Sequence, residues 1–263
     1  MKIFIFNKKY ILSIFSIIII SIFIFLHFYK PFSIATSVSE ENFINNSIKE
    51  KFEQLENSKE KVAYLTFDDG PTIKATPKIL DILKDKNVKA TFFVLGKNVK
   101  SHPELVKRAY EEGHYIANHG YNHNNSVLYK NSTSFISEVK NTDMEIGKAI
   151  GVDNYCSYIF RFPNGYMSSA YKSKKKEAST LLSQMGYIYV DWNCLNNDSE
   201  KKVNSYTLLN NLKNSCKNKG TLIILMHDTN DVNDTTEILA ESISYLQSEG
   251  YVFDNFYSLF EEK

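Results

Sequence analysis

Two adjacent aspartates, Asp68 and Asp69, end a strand-like run, Val62-Ala63-Tyr64-Leu65-Thr66-Phe67, and are followed at once by Gly70 and Pro71. Carboxylates at the end of a buried strand repel each other and lose hydration, so cations or donors must offset the cost. An Asp-Gly-Pro turn with solvated side chains is the bland alternative. His119 and His123 stand four residues apart, a spacing that can bring both rings toward one ion. Alone, such a pair is a weak signal. With a nearby carboxylate it makes a two-histidine, one-carboxylate set that leaves positions on a divalent metal open for water and substrate. Arg161, in Phe160-Arg161-Phe162-Pro163-Asn164-Gly165, is either an ion-paired loop residue or, facing Asp68, the cation that keeps that carboxylate charged. Asp191, Trp192 and Asn193 follow another short apolar run. His227 and Asp228 close Ile223-Ile224-Leu225-Met226, and His227 stands past the last apolar residue, where a cleft is expected rather than a core.

The elements that must position these residues are short apolar runs alternating with helical patterns. Strands are expected at 62–67, 90–95, 115–117, 157–160, 187–190, 221–226 and 251–253. Helices are expected near 76–86, 101–112, 132–149, 171–185, 205–217 and 234–248. Gly113, Gly151, Gly186, Gly220 and Gly250 follow five of these helices, where C-terminal caps favour glycine. Strand–helix alternation implies a parallel α/β domain, either a barrel or an open sheet. All the polar residues above fall after strand C-terminal ends, the edge on which parallel α/β folds assemble their sites.

The 263 residues carry a net charge of +1, which gives no electrostatic case for nucleic acid. Lys2, Lys8 and Lys9 precede residues 10–29, a span of about twenty residues that is apolar enough to cross a bilayer. The lysine excess ahead of the span puts the N-terminus in the cytoplasm and the remainder outside. A cleaved signal peptide competes, but its apolar core is usually shorter and the only small-residue site is Ala35-Thr36-Ser37. The expected organisation is therefore a signal anchor over 1–30, an extracytoplasmic stalk over 31–60 and a domain over 61–263. Within the stalk Ile44, Ile48, Phe52 and Leu55 recur at helical spacing, so a short amphipathic helix that packs on the domain or self-associates weakly is expected. Cys156, Cys194 and Cys216 show neither zinc spacing nor a legible disulfide framework and read as small buried apolar residues. The basic run Lys172, Lys174, Lys175 and Lys176 reads as a solvated surface.

Thr66-Phe67-Asp68-Asp69-Gly70, His119-Gly120-Tyr121-Asn122-His123, Arg161-Phe162-Pro163, Asp191-Trp192-Asn193 and Leu225-Met226-His227, in that order, resemble the NodB-homology polysaccharide deacetylases, carbohydrate esterase family 4. The resemblance spans about residues 61–260. It implies a distorted (β/α) barrel of about seven parallel strands, here preceded by a transmembrane helix and a stalk. It also implies Asp69, His119 and His123 as ligands of a divalent metal, zinc first, with cobalt or nickel as alternatives. Asp68 becomes the base, His227 the acid, and Arg161 the residue that positions Asp68. Asn164, through its backbone N–H, Trp192 and Leu225 become substrate-binding, with Leu225 against the acetyl methyl. The implied activity is hydrolytic removal of N-acetyl groups from peptidoglycan amino sugars by a single-pass protein of the cell membrane, N-acetylglucosamine favoured over N-acetylmuramic acid. Chitin oligomers, an exopolysaccharide or an acetylated xylan are alternative substrates, and an inactive wall-binding homologue is an alternative role.

Three positions depart from the family pattern. Asn164 stands where an aromatic residue is usual, and Gly120 where a hydroxyl residue is usual. Leu195 occupies the place, three past Trp192, of an aspartate that orients the catalytic histidine. Asp191 and Asp198 are the two candidates to replace it.

Overall fold

A computed structural model describes residues 38–200, 203–229 and 233–261. In chain order the elements are α1 (Val38–Glu56), β1 (Val62–Asp68), α2 (Thr76–Asp85), β2 (Thr91–Val94), α3 (Gly96–Ser101), α4 (Pro103–Glu111), β3 (Tyr115–Asn118), α5 (Asn125–Leu128) and α6 (Ser132–Ile150). There follow β4 (Ile159–Phe160), α7 (Lys172–Gln184), β5 (Ile188–Tyr189), β6 (Cys194–Leu195), α8 (Ser205–Cys216), β7 (Leu222–His227), α9 (Asn233–Ser248), β8 (Val252–Asp254) and a closing 3-10 turn, Phe256–Leu259.

Seven strands run in the order β5-β4-β3-β2-β1-β7-β6, and every pairing is parallel. The eighth, β8, pairs with the first residues of β1 on the edge whose later residues pair with β2. The path of seven parallel strands wrapped by helices matches the expected barrel architecture. All seven expected strands are present. The two-residue β6 has no sequence signal because it is too short to show a period. The helix expected at 101–112 begins at Pro103. The residue before a proline is turned out of helical geometry, and His102 accordingly adopts φ −138°, which separates α3 from α4.

The period-two alternation of strands decides what faces what. In β1, Ala63, Leu65 and Phe67 join Leu80, Ile224, Met226 and Leu239 in the layer under the helices. Tyr64 points the other way, into a cluster with Phe93, Tyr115, Ile159 and Ile223 that the closing turn plugs through Phe256. Helix α1 contributes Ile48 and Phe52 to this inner cluster, so the amphipathic pattern reflects packing on the domain. Asp68, Leu225 and His227 continue the inner face upward to its mouth.

Three expectations are corrected here. Cys194 and Cys216 are buried, as read, but they are joined as a disulfide that ties β6 to the end of α8, with Cα atoms 5.6 Å apart. Lys175 is buried at 1 % exposure, unlike the rest of its basic run, and its ammonium donates to the Gly165 carbonyl and the Ser168 hydroxyl. Gly220 is no helix cap. It lies where the chain runs against the Ser58–Lys59 backbone, so closely that a Cβ there would collide with it. Among the described residues no helix is long and apolar enough to cross a membrane, and the expected span at 10–29 lies outside them.

Candidate active site

Neighbouring residues of a strand point to opposite faces, so two adjacent carboxylates reach one cleft only if the strand breaks between them. Asp69 supplies that break. Its φ of 75° is left-handed, a conformation that aspartate tolerates better than most residues. The turn is fixed by the Asp69 N–H donating to the Phe93 carbonyl at 3.2 Å and by Asn98 Nδ2 donating to the Asp69 carbonyl at 2.6 Å.

Asp69 Oδ1 lies 3.7 Å from His119 Nε2 and 3.6 Å from His123 Nε2. It is buried and has no hydrogen-bond partner. A buried, unpaired carboxylate oxygen is costly unless something unseen satisfies it. The three ligand atoms lie within 4.8 Å of one another, a cradle that a dication with bonds of about 2.0–2.2 Å can bridge. His119 Nδ1 donates to the Arg161 carbonyl at 2.8 Å, which fixes the tautomer and leaves the Nε2 lone pair directed at Asp69. Burial lowers the His119 pKa against the pull of Asp68 and Asp69, which favours the neutral ring that a metal requires. The donor set fits a divalent ion.

Asp68 is buried as well, with Oδ2 3.7 Å from the same His119 Nε2. Arg161 answers it. The guanidinium is fully buried and donates from Nη1 to Asp68 Oδ1 at 2.8 Å and to Thr66 Oγ1 at 2.7 Å. Nε donates to the Val190 carbonyl and Nη2 to the Asp191 carbonyl, both at 3.0 Å. Its carbon sits 3.9 Å above the Phe93 ring centre. The planar fork is thus held on several sides, and the Asp68 carboxylate with it.

His227 pairs in register with Asp68 across the β1–β7 ladder. Its Nδ1 lies 2.6 Å from Asp198 Oδ1, and its backbone N–H donates to Asp198 Oδ2 at 2.8 Å. Thr235 Oγ1 donates to the same oxygen, and the Asp198 N–H donates to Asn196 Oδ1 at 3.1 Å. Burial pulls the His227 pKa down, but the Asp198 hydrogen bond and charge, helped by Asp68 and Asp69, outweigh it and raise the ring to about 9. Of the two candidate carboxylates, Asp198 holds the histidine. Asp191 instead accepts the backbone N–H groups of Tyr166 at 2.9 Å and Met167 at 3.2 Å, and so anchors the loop that begins at Asn164. Leu195 therefore leaves His227 with its carboxylate.

A cleft of about 530 Å³ gathers Asp68, Asp69, His119, His123, Asn164, Trp192, Leu225 and His227, with Arg161 directly beneath. All nine residues singled out in the sequence meet at one place. Leu195, one of the departures from the family pattern, lines it as well, and so do Ser199 and Thr229, which carried no sequence signal. Comparison with known proteins agrees with this geometry, since a family profile described as polysaccharide deacetylase matches residues 55–189. The chain belongs to the polysaccharide deacetylase family. The deacetylase is 34% identical over 220 residues to the peptidoglycan-N-acetylmuramic acid deacetylase PdaA of Bacillus subtilis, which covers 83% of this chain and 79% of the relative. It is 35% identical over 200 residues to a peptidoglycan-N-acetylglucosamine deacetylase of Bacillus cereus, covering 75% and 67%. Among solved structures, a CE4 esterase of Streptococcus mutans superposes with a TM-score of 0.70 at 30% identity, over 78% of this chain and 90% of that one.

Proposed function

We propose that the deacetylase hydrolyses the N-acetyl amide of peptidoglycan amino sugars, releasing acetate and a free amine, and that N-acetylglucosamine is the preferred residue. The observation that carries the reading is the orphaned Asp69 Oδ1 facing two imidazole Nε2 atoms, with a second carboxylate, Asp68, held apart from it by Arg161. Asp69, His119 and His123 would hold a divalent ion, and zinc suits two nitrogens and one oxygen with room left for water. Such an ion, when bound, polarises an amide carbonyl and acidifies a water.

The chain's own residues supply the rest. Asp68, aimed by Arg161, accepts the proton from the attacking water. His227, protonated and steadied by Asp198, returns a proton to the departing nitrogen. Asn164 lines the cleft, and its N–H would donate to the oxygen of the tetrahedral centre. Leu225 and Trp192 offer an apolar seat for the acetyl methyl, with Leu195 paired in register beside Leu225.

Two observations support the finer assignment. None of the described residues lining the cleft is lysine or arginine, which favours the neutral N-acetylglucosamine over a sugar bearing a lactyl carboxylate. The Cys194–Cys216 disulfide favours an oxidising compartment, in keeping with residues 10–29 as a membrane anchor and a domain facing the wall. Mass spectrometry of muropeptides from cells with and without the protein tests this. Loss of deacetylated glucosamine in the deletion is the expected result. Unchanged acetylation of both wall sugars would overturn the peptidoglycan reading, and loss of deacetylated muramic acid alone would reverse the sugar preference.

A further inference from the structure

The turn that carries both histidine ligands has two left-handed residues, Gly120 at φ 82° and His123 at φ 54°, and no serine or threonine hydroxyl to brace it. Such a turn holds its geometry only if its surroundings over-determine it. Its carbonyls are met from α3: the Gly96 and Lys97 N–H groups donate to the Gly120 and Tyr121 carbonyls, each at 3.1 Å, and Lys97 Nζ to the Asn122 carbonyl at 3.2 Å. The His119 N–H donates to the Val94 carbonyl at 3.0 Å and the Gly120 N–H to Asn118 Oδ1 at 2.9 Å, while the next two N–H groups converge on one residue of α6. Glu138, 6 % exposed, accepts from the Tyr121 N–H at 2.8 Å and the Asn122 N–H at 3.0 Å through Oε2, and from Asn122 Nδ2 at 3.0 Å through Oε1.

We propose that Glu138 is the positioning residue of the metal centre: its carboxylate clamps the Tyr121–Asn122 backbone between the two histidines and so sets the separation of His119 Nε2 and His123 Nε2. The inference rests on the metal site described above and concerns what holds that site in shape. The clamp is built from one side. Along α6 the Thr142 hydroxyl bonds back to the Glu138 carbonyl, and Asp143 accepts from Ser157 and from Asn118, whose Oδ1 takes the Gly120 N–H. Glu138 therefore meets Tyr121 and Asn122 directly, whereas Asp143 reaches the turn only through Asn118. It touches neither the cleft nor substrate, and its effect passes through the two ligands.

The test is metal affinity rather than turnover. The apo protein is titrated with zinc against a competing chelator, well below its unfolding temperature, for the unchanged protein, Glu138→Ala and Glu138→Gln. Loss of a residue that orients metal ligands typically weakens the metal by about 10–100-fold. That loss is expected for Glu138→Ala. Glu138→Gln is expected to fall between, because its amide oxygen still accepts from both backbone N–H groups while its NH₂ now opposes Asn122 Nδ2. A Glu138→Ala protein that is less stable yet binds zinc within about twofold of the unchanged protein would make Glu138 merely structural and overturn the proposal. If Glu138→Ala does not fold, Glu138→Asp decides: a carboxylate withdrawn by one methylene should weaken zinc at least fivefold, and unchanged affinity overturns the proposal. Failure of the unchanged protein to bind zinc would instead refute the metal site itself.

Discussion

Asp198 is bound twice to His227, by carboxylate to ring Nδ1 at 2.6 Å and by carboxylate to backbone N–H at 2.8 Å, so one residue sets both the orientation and the charge of the histidine. Asp198→Asn keeps the size and one acceptor but removes the charge that offsets burial. We expect kcat to fall by about 10²-fold or more, the lower range of what a positioned acid contributes, with zinc content unchanged. A steady-state comparison with metal analysis checks this, and full activity would remove Asp198 from the account.

The same pair fixes a pH dependence. In its proposed role as acid His227 works only while protonated, and its pKa is raised to about 9. Activity should therefore persist through neutral pH and fall as pH rises toward 9. A dication on Asp69 would cancel part of the raise, so the holoenzyme limb should lie at or below that value. The stability linkage has the same sign: a raised folded pKa stabilises fully below the ordinary value of about 6.5 and loses that contribution as pH rises through about 9. NMR titration of the His227 ring in the apo protein and in Asp198→Asn measures both, with the second expected to titrate well below the first.

Arg161 is buried with its donors directed at Asp68, Thr66 and two carbonyls. Arg161→Met fills much of the volume but leaves Asp68 charged and alone, a change that costs about 3–5 kcal/mol in buried pairs. Urea unfolding of the two proteins should show a loss of this size. Arg161→Lys should not rescue it fully, because an ammonium cannot reproduce the fork.

The Cys194–Cys216 bridge closes a loop of 22 residues that includes Asp198. In the chain-entropy description a loop of that length contributes about 3 kcal/mol. Adding reductant, or the double change to serine, should lower the denaturant midpoint accordingly. Identical midpoints under oxidising and reducing conditions would contradict the bridge.

Much of the site was legible because its residues are chemically misplaced: charged or titratable side chains after apolar strands have few structural explanations, and all of them fall at the strand edge where parallel α/β folds assemble their sites. What was hidden depends on contacts distant in sequence or on irregular backbone. Asp191 and Asp198 are equally plausible by spacing, and only the loop after β6 decides that one holds His227 while the other holds the Tyr166 backbone. Thr235 reaches Asp198 from a different helix, with no local pattern to announce it. Lys175 sits within a basic run that looks solvated, and its burial follows from the Gly165 and Ser168 carbonyls folding over it. The disulfide joins a two-residue strand to a helix end, neither of which marks its cysteine.

Acetate release from purified peptidoglycan by the zinc-loaded protein, with and without a strong chelator and beside Asp68→Asn, tests the central claim most directly. The account predicts release by the unchanged protein, its loss on chelation with recovery on adding zinc, and a drop of about 10²–10⁴-fold in Asp68→Asn despite bound metal. Release that survives complete metal removal, or that is unchanged in Asp68→Asn, would contradict it.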